Sequence, residues 1–210
     1  MSLADPVTEQ TPILSFALAA GSFHVVTGAP GSGKTRLLRL AGLRTWPARG
    51  AIWLAGRDTG GLDRRAVVGA RRRIGFMAAG DPAFLHLDVF DNAAAPRRIA
   101  GESRTSYSEP VMELLRWVGL ARSPDAPAGR LAMAQRRRLS LAMALACGPD
   151  LLLADEPTAG LADADAKAVL RLLAQAHAAG TTVLMATGDE KLATSSGAPI
   201  MRLRGGGLEF

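Results

Sequence analysis

The stretch Gly28-Ala29-Pro30-Gly31-Ser32-Gly33-Lys34-Thr35 matches the pattern G-x-x-x-x-G-K-[ST] at every fixed position. Phe23–Thr27 precedes it and predicts a short buried strand, and residues 36–40 follow with apolar residues at helical spacing. A glycine-rich turn between a strand and a helix directs backbone N–H groups at phosphate oxygens. The sequence therefore predicts a phosphate-binding loop, in which Lys34 reaches the β- and γ-phosphates of a nucleotide and Thr35 binds Mg²⁺. A chance glycine-rich turn is the alternative, and the order of strand, loop and helix argues against it.

Two adjacent carboxylates follow a continuous apolar run. Residues 151–154 read Leu-Leu-Leu-Ala, as expected of a strand buried on both faces, and Asp155 and Glu156 come directly after them. Beside a phosphate loop, an Asp at the tip of a strand completes a Mg²⁺ shell, and a second carboxylate can activate water against the γ-phosphate. We assign Asp155 to the metal and Glu156 to catalysis. The alternative is an acid-rich helix N-terminus, which does not account for the two motifs occurring together.

The composition is that of a globular chain. Of 210 residues, 48% are hydrophobic and 21% are charged. No apolar run approaches the roughly 18 residues of a membrane span, and residues 1–11 do not resemble a signal peptide. We expect a single domain over residues 1–210, located in the cytoplasm.

The chain is basic, with a net charge of +6 and clustered arginines. Nucleic acid or an anionic membrane surface could each explain the clusters. Aromatic residues do not interleave with the arginines as a base-stacking surface would need, so we interpret the clusters as solvated helix faces and expect no nucleic-acid partner. The clusters are Arg64-Arg65, Arg71-Arg72-Arg73, Arg97-Arg98 and Arg136-Arg137-Arg138.

Strand and helix patterns alternate along the chain. The order predicts an α/β fold with an open, mainly parallel sheet that binds its ligand at the carboxyl ends of the strands. A mostly helical insertion is expected from residue 81 to 119. Strands are predicted at residues 13–18, 22–27, 50–56, 73–77, 151–154, 181–186 and 198–203, the last followed by a hairpin turn, with further helices at 63–72, 134–147 and 165–179.

The motif Leu153-Ala154-Asp155-Glu156-Pro157-Thr158, preceded by an arginine-rich helix, is similar to the corresponding motif in the ATP-binding subunits of ABC transporters. Within that family the chain is most similar to the FtsE group of cell-division ATPases. Lipoprotein-release and macrolide-export ATPases share part of the same sequence motifs. The resemblance implies a P-loop NTPase fold of ABC-ATPase type, with an antiparallel N-terminal part and a helical subdomain of approximately residues 81–145. The segments carrying the closer similarity are residues 52–58, 71–77, 89–96 and 183–187.

The chain departs from the family pattern at several positions that the resemblance identifies as functional. Ala79 stands where the family has a glutamine that senses Mg²⁺ and the transport partner. Residues 131–135, Leu-Ala-Met-Ala-Gln, replace the signature Leu-Ser-Gly-Gly-Gln, which caps the γ-phosphate of ATP on the opposite subunit. Gly188 replaces a histidine that contacts the γ-phosphate, and Ala162 replaces an aspartate that here comes one place late, at Asp163. An adenine-stacking aromatic also has no counterpart, because no aromatic precedes Phe16.

The resemblance implies an ATP-binding subunit that uses ATP and Mg²⁺ and couples nucleotide binding to an integral membrane permease-like subunit, FtsX-like, in cell division or envelope remodelling. It implies a peripheral position on the inner face of the cell membrane, and a homodimer or a heterodimer with another ABC ATPase. The departures predict weak hydrolysis. The alternatives are a subunit of a lipoprotein-release or export-type ABC transporter, a nucleotide-binding adaptor of the same fold, and a small-molecule P-loop kinase.

Overall fold

A six-stranded sheet forms the centre of the computed structural model, which describes residues 14–80, 83–205 and 207–209. Five strands run parallel, and one edge strand is antiparallel to its neighbour. A separate antiparallel pair, β2 (Trp53–Leu54) and β3 (Arg57–Asp58), lies in the N-terminal half. The spatial order of the main sheet is β4 (Ile74–Met77), β5 (Leu151–Asp155), β6 (Thr182–Thr187), β1 (Phe23–Thr27), β7 (Ile200–Arg204) and β8 (Gly207–Glu209).

Strand register brings the two sequence motifs to one edge of the sheet. Thr27, the last residue of β1, lies opposite Thr187 of β6. Asp155, the last residue of β5, lies opposite Ala186 on the other side of β6. The phosphate loop after β1 and the carboxylates after β5 therefore emerge two strands apart, at the same carboxyl edge, as the sequence predicted.

Helices cover both faces of the sheet. The hydrophobic core forms two clusters, one on each face of the sheet. Adjacent residues of a strand pack in different clusters, because successive side chains of a strand point to opposite faces. Val26 and Leu153 pack with Leu38 of the first helix, whereas Val25 and Leu152 pack in the larger cluster on the other face. The helices are α1 (Lys34–Ala41), α2 (Arg64–Arg72), α3 (Val89–Ile99), α4 (Arg104–Trp117), α5 (Met133–Leu145), α6 (Asp163–Ala178) and α7 (Glu190–Ser195).

The expected helical insertion contains α3 and α4, and α3 packs against both α4 and α5. Val111, Leu115 and Val118 are buried in the large core cluster, which agrees with their helical spacing. Helix α5 also contacts β4. The insertion is therefore joined to the sheet through α5, whose N-terminus carries the altered signature. No helix among the described residues is both long and apolar enough to cross a bilayer.

Three elements differ from the sequence prediction. The strand predicted at residues 13–18 is wrong: residues 14–19 form no strand, and Ile13 lies outside the described part of the chain. Leu14, Phe16 and Leu18 still pack against the hydrophobic cluster that contains Leu38 of α1. The alternation of apolar and polar residues here therefore reflects burial of every second side chain without strand pairing. The strand predicted at residues 50–56 is reduced to β2, since Ala55 and Gly56 take φ values of +50° and +75° and turn the chain into β3. Helix α7 was not predicted.

Candidate nucleotide-binding site

Glycine is required where the phosphate loop begins. A Cβ atom on Gly28 would lie 2.6 Å from the carbonyl oxygen of Leu203 in β7 and 2.7 Å from Ser32 Oγ. Gly31 and Gly33 have φ values of +79° and +101°, which L side chains rarely adopt. The loop is thus held against β7 in a conformation that leads directly into α1.

Lys34 is buried at the first turn of α1 and points back into the loop. Its Nζ donates to the carbonyl oxygens of Gly28, at 2.7 Å, and Ala29, at 3.2 Å. The same ammonium group lies 4.0 Å from Glu156 Oε1. The structure therefore brings the predicted lysine and the predicted catalytic carboxylate together across the carboxyl edge of the sheet.

Three buried polar atoms at this edge lack partners among the described residues: Thr27 Oγ1 at the end of β1, Ser32 Oγ in the loop and Asp155 Oδ1 at the end of β5. Buried polar groups are usually hydrogen-bonded, so two unpaired hydroxyls and an unpaired carboxylate oxygen beside one loop indicate a place for a polar ligand. Mg²⁺ binds oxygen ligands, commonly one or two carboxylates together with substrate phosphates and water. Asp155 and the hydroxyl of Thr35, one residue after Lys34, form an oxygen-only set that fits this ion.

Glu156 is held in an unusual backbone conformation, with φ of +47°. Its Oε1 accepts a hydrogen bond of 2.8 Å from the backbone N–H of Gly188, and its Oε2 accepts one of 3.2 Å from the hydroxyl of Thr187. The carboxylate is therefore oriented by the end of β6. Sequence reasoning missed both groups, because the backbone donor of Gly188 leaves no signal in the residue type and the contact of Thr187 depends on tertiary distance.

The loop after β4 is fixed by an arginine. Arg137, on α5, donates from Nη1 to the carbonyl oxygens of Ala79, at 2.8 Å, and Gly80, at 3.0 Å. Other arginines also bind backbone carbonyls of neighbouring elements, including Arg71 to Leu43 and Arg138 to Val118. Several members of the basic clusters thus join elements of the fold. The interpretation as solvated helix faces is wrong for Arg137 and Arg138, which are half-buried, whereas Arg71 remains exposed.

The altered signature lies at the start of α5. Ala132 is the N-cap residue and supplies no side-chain acceptor, while Gln135 Oε1 accepts from the backbone N–H of Ala132 at 2.9 Å. Met133 is 49% exposed, and its sulfur lies 3.3 Å from the position that a Cβ on Gly160 would occupy. The methionine side chain therefore stands at the N-terminus of α5 against the loop before α6, where the family pattern has glycine.

A clamp built by Asn92 shapes the segment before α3. This fully buried side chain accepts from the backbone N–H of Phe84 at 2.7 Å and donates to the carbonyl oxygens of Phe84, at 3.0 Å, and Asp88, at 2.8 Å. Phe84 and Leu85 remain 47% and 51% exposed. The clamp therefore presents two large apolar side chains on a turn before α3.

Comparison with known proteins supports the resemblance. The ABC transporter family model matches residues 12–159. The cell division ATP-binding protein FtsE of Escherichia coli (strain K12) is 34% identical over 93% of this chain and 88% of its own length. The macrolide export ATP-binding/permease protein MacB of Chromobacterium violaceum is 34% identical over 87% of this chain and 29% of its own length. The methionine import ATP-binding protein MetN of Cupriavidus metallidurans is 34% identical over 83% of this chain and 51% of its own length.

The chain thus spans only a quarter to a half of several curated relatives it matches, at 27% to 51% of their length. Among solved structures, the dimeric post-hydrolysis state of the ATP-binding cassette MJ0796, bound to ADP and Pi, superposes with a TM-score of 0.84. That match has 27% identity and covers 93% of this chain and 86% of the other. The chain therefore belongs to the ABC transporter family and has the α/β fold of its ATP-binding cassettes.

Proposed function

We propose that this chain is the ATP-binding subunit of an FtsE-like membrane complex, and that it binds Mg-ATP with modest affinity and hydrolyses it slowly. One contrast carries the proposal. Lys34, Asp155 and Glu156 are gathered at an intact phosphate loop, whereas residues 132–134, which would cap the nucleotide of a second subunit, are Ala-Met-Ala.

Nucleotide binding rests on the loop. Its backbone N–H groups and the N-terminus of α1 attract phosphate, and Lys34 exchanges its bonds to the Gly28 and Ala29 carbonyls for bonds to phosphate oxygens. Asp155 and Thr35 would hold Mg²⁺, which supplies charge neutralisation at the phosphates. The loop residues with this role are Gly28, Ala29, Pro30, Gly31, Ser32, Gly33, Lys34 and Thr35.

Hydrolysis rests on Glu156, which lies oriented within 4.0 Å of the Lys34 ammonium group. Efficient phosphoryl transfer also needs preorganised donors around the charge that develops on the γ-phosphate, and losing one such donor commonly costs about 10²–10³ in rate. In a homodimer both sites would face Ala132 and Met133, which offer neither a hydroxyl nor the close backbone approach of glycine. A heterodimer with an ABC ATPase that keeps the signature would restore one complete site, made from this phosphate loop and that signature.

The partner is proposed to be an integral membrane, permease-like subunit of FtsX type, which recruits the chain to the inner face of the membrane. Residues 1–210 act as one ABC-type domain, and the helical subdomain of about residues 81–145 receives the partner at Phe84 and Leu85. Export is the second candidate function, because MacB and the probable syringafactin exporter SyfD match at the same 34% identity as FtsE.

Calorimetry of Mg-ATP binding tests the nucleotide part of the proposal. The wild-type chain and the Lys167→Ala variant, which changes an exposed lysine on α6, should bind with equal affinity. Lys34→Ala should reduce binding below detection at millimolar ATP. Absence of binding by the wild-type chain, or unchanged affinity in Lys34→Ala, would overturn it.

Recruitment in cells tests the membrane part. Phe84→Asp should release the chain from the membrane, whereas Ile99→Asp, which changes an even more exposed apolar residue at the end of α3, should not. Recruitment that survives Phe84→Asp, or that survives deletion of the partner, would contradict the docking assignment.

A further inference from the structure

Three consecutive residues at the end of β6 hold Glu156 through both its backbone and its side chain. The backbone N–H of Glu156 donates to the carbonyl oxygen of Ala186 at 2.8 Å. Its carboxylate accepts from the Thr187 hydroxyl at 3.2 Å and from the Gly188 N–H at 2.8 Å. Glu156 also has a φ of +47°, in a region that non-glycine residues rarely occupy. A strained backbone persists only where its surroundings impose it, so these contacts fix where the carboxylate points.

Among the residues that the structure describes, Thr187 has the one side chain that hydrogen-bonds Glu156. Thr187 is 1% exposed, so its hydroxyl is shielded from water. Thr187 Oγ1 also accepts from the backbone N–H of Asp189 at 3.1 Å. A hydroxyl has a single proton, and because the Asp189 N–H occupies an acceptor position, that proton is directed to Glu156 Oε2. The turn after β6 therefore sets the direction in which Thr187 donates.

The same contacts keep Glu156 apart from the cation of the phosphate loop. Glu156 Oε1 lies 4.0 Å from Lys34 Nζ, which is beyond hydrogen-bonding distance. Lys34 donates instead to the carbonyl oxygens of Gly28 and Ala29. A carboxylate and an ammonium group that were free to move would close to a direct bond of about 2.8 Å. Lys34 is thereby left with neutral partners, which phosphate oxygens can replace without displacing a negative charge.

We propose that Thr187 is a positioning residue, whose hydroxyl orients Glu156 for hydrolysis and keeps it from pairing with Lys34. This inference rests on the proposed function, in which Glu156 acts in hydrolysis and Lys34 binds phosphate. Gly188 has no side chain, so the side-chain contribution to the orientation of Glu156 comes from the residue before it. Without the hydroxyl, the carboxylate keeps only the Gly188 N–H and turns towards the Lys34 ammonium group.

Thr187→Val, which keeps the shape of the side chain and removes the hydroxyl, tests this assignment. Turnover at saturating Mg-ATP should fall about tenfold, as expected for the loss of a hydrogen bond to a charged group. Mg-ATP affinity, measured by calorimetry, should fall about threefold or more, because ATP must first displace Glu156 from Lys34. Thr187→Ser, which keeps the hydroxyl, should retain the wild-type affinity and turnover.

Thr182→Val is the matched control. Thr182 is also buried in β6, where its Oγ1 accepts from the Gly21 N–H at 2.9 Å. It lies at the other end of the strand, about 17 Å from Thr187 at a rise of about 3.3 Å per residue. This variant should lower stability without changing ATP affinity or turnover. In a Glu156→Gln background, Thr187→Val should have no further effect on affinity, since a neutral amide has no charge to pair with Lys34.

A crystal structure of the Thr187→Val variant without nucleotide gives a readout that does not need activity. The distance between Glu156 and Lys34 Nζ should shorten from 4.0 Å to that of a direct hydrogen bond. The inference is overturned if this distance is unchanged, if Thr187→Val binds and hydrolyses ATP as the wild type does, or if Thr182→Val or Thr187→Ser loses as much as Thr187→Val. Absence of ATP binding by the wild-type chain would instead contradict the proposed function, and the variant's structure would still decide whether Thr187 holds Glu156.

Discussion

The carboxylate of Glu156 is held by the backbone N–H of Gly188, at 2.8 Å. The family pattern has a histidine at Gly188, yet the contact that this position makes in this chain comes from the main chain and needs no side chain. A Cβ atom on Gly188 would lie 3.5 Å from Glu156 Oε1 and 3.9 Å from Lys34 Nζ, both ordinary contact distances. The position can therefore accept a side chain without moving the Glu156 carboxylate.

Gly188→His should consequently fold with a melting temperature equal to or slightly above that of the wild type, because it replaces a glycine that lies outside the positive-φ region. Gly28→Ala is the contrasting variant, since its Cβ would meet the Leu203 carbonyl oxygen at 2.6 Å. It should lower the melting temperature and abolish ATP binding. Differential scanning calorimetry measures the melting temperatures of the two variants. A lower melting temperature for Gly188→His than for Gly28→Ala would contradict the contact distances given above.

Ala132→Ser should stabilise the chain on its own. Ala132 has extended backbone angles at the N-cap of α5, where a hydroxyl can accept from the N–H of Gln135, and the gain is about 1 kcal/mol. For a domain of this size that corresponds to a rise of about 2–4 °C in melting temperature. Ala132→Val, which has no acceptor, should give no rise. Equal melting temperatures for Ala132→Ser and the wild type would argue against the capping geometry.

Asn92→Ala should destabilise the chain by about 1–3 kcal/mol, since it leaves the backbone N–H of Phe84 without its acceptor and removes one of the two donors to each of the Phe84 and Asp88 carbonyls. Asp91→Asn, on the same helix, disrupts only a partly exposed ion pair with Arg98 and should cost under about 1 kcal/mol. Chemical denaturation gives both values. A cost for Asn92→Ala no larger than that for Asp91→Asn would show that the clamp does not form.

The sequence was sufficient for the parts of the fold that depend on local pattern. The phosphate loop, the buried strand ending in Asp155 and the hairpin at the C-terminus were predicted because glycine spacing and continuous apolar runs report directly on backbone geometry. The strand at residues 13–18 was wrong since alternate burial of Leu14, Phe16 and Leu18 does not require a neighbouring strand. Helix α7 was missed because its six residues are too few for an amphipathic pattern, although Asp189 caps it through the N–H of Leu192 at 3.0 Å.

The candidate site could be predicted only in part. Lys34, Asp155 and Glu156 have side chains whose chemistry is visible in the sequence, and the structure brings them to one edge. The contacts that Gly188 and Ala79 make through their backbones could not be read from residue type. The interactions of Arg137 and Arg138 depend on tertiary distances, so charge clustering alone misassigned them to solvent.

Restoring the family residues together should recover activity if their loss is the cause of slow turnover. The combined variant Ala132→Ser, Met133→Gly, Ala134→Gly, Ala79→Gln and Gly188→His should hydrolyse ATP at least about tenfold faster than the wild type, whereas each single change should do little, because residues that act as a unit are not additive. Steady-state phosphate release measures the wild type, the combined variant and the five single variants. A single change that gives the whole gain, or a combined variant that gains nothing while binding ATP, would contradict this explanation.

Steady-state ATP hydrolysis by the purified wild-type chain at saturating Mg-ATP tests the central claim most directly. The measurement is made beside Glu156→Gln and beside an FtsE-type relative that keeps the signature. The account predicts saturable ATP binding with turnover about 10²-fold or more below that of the relative. Turnover by the wild-type chain alone that equals the relative's and is abolished by Glu156→Gln would contradict it.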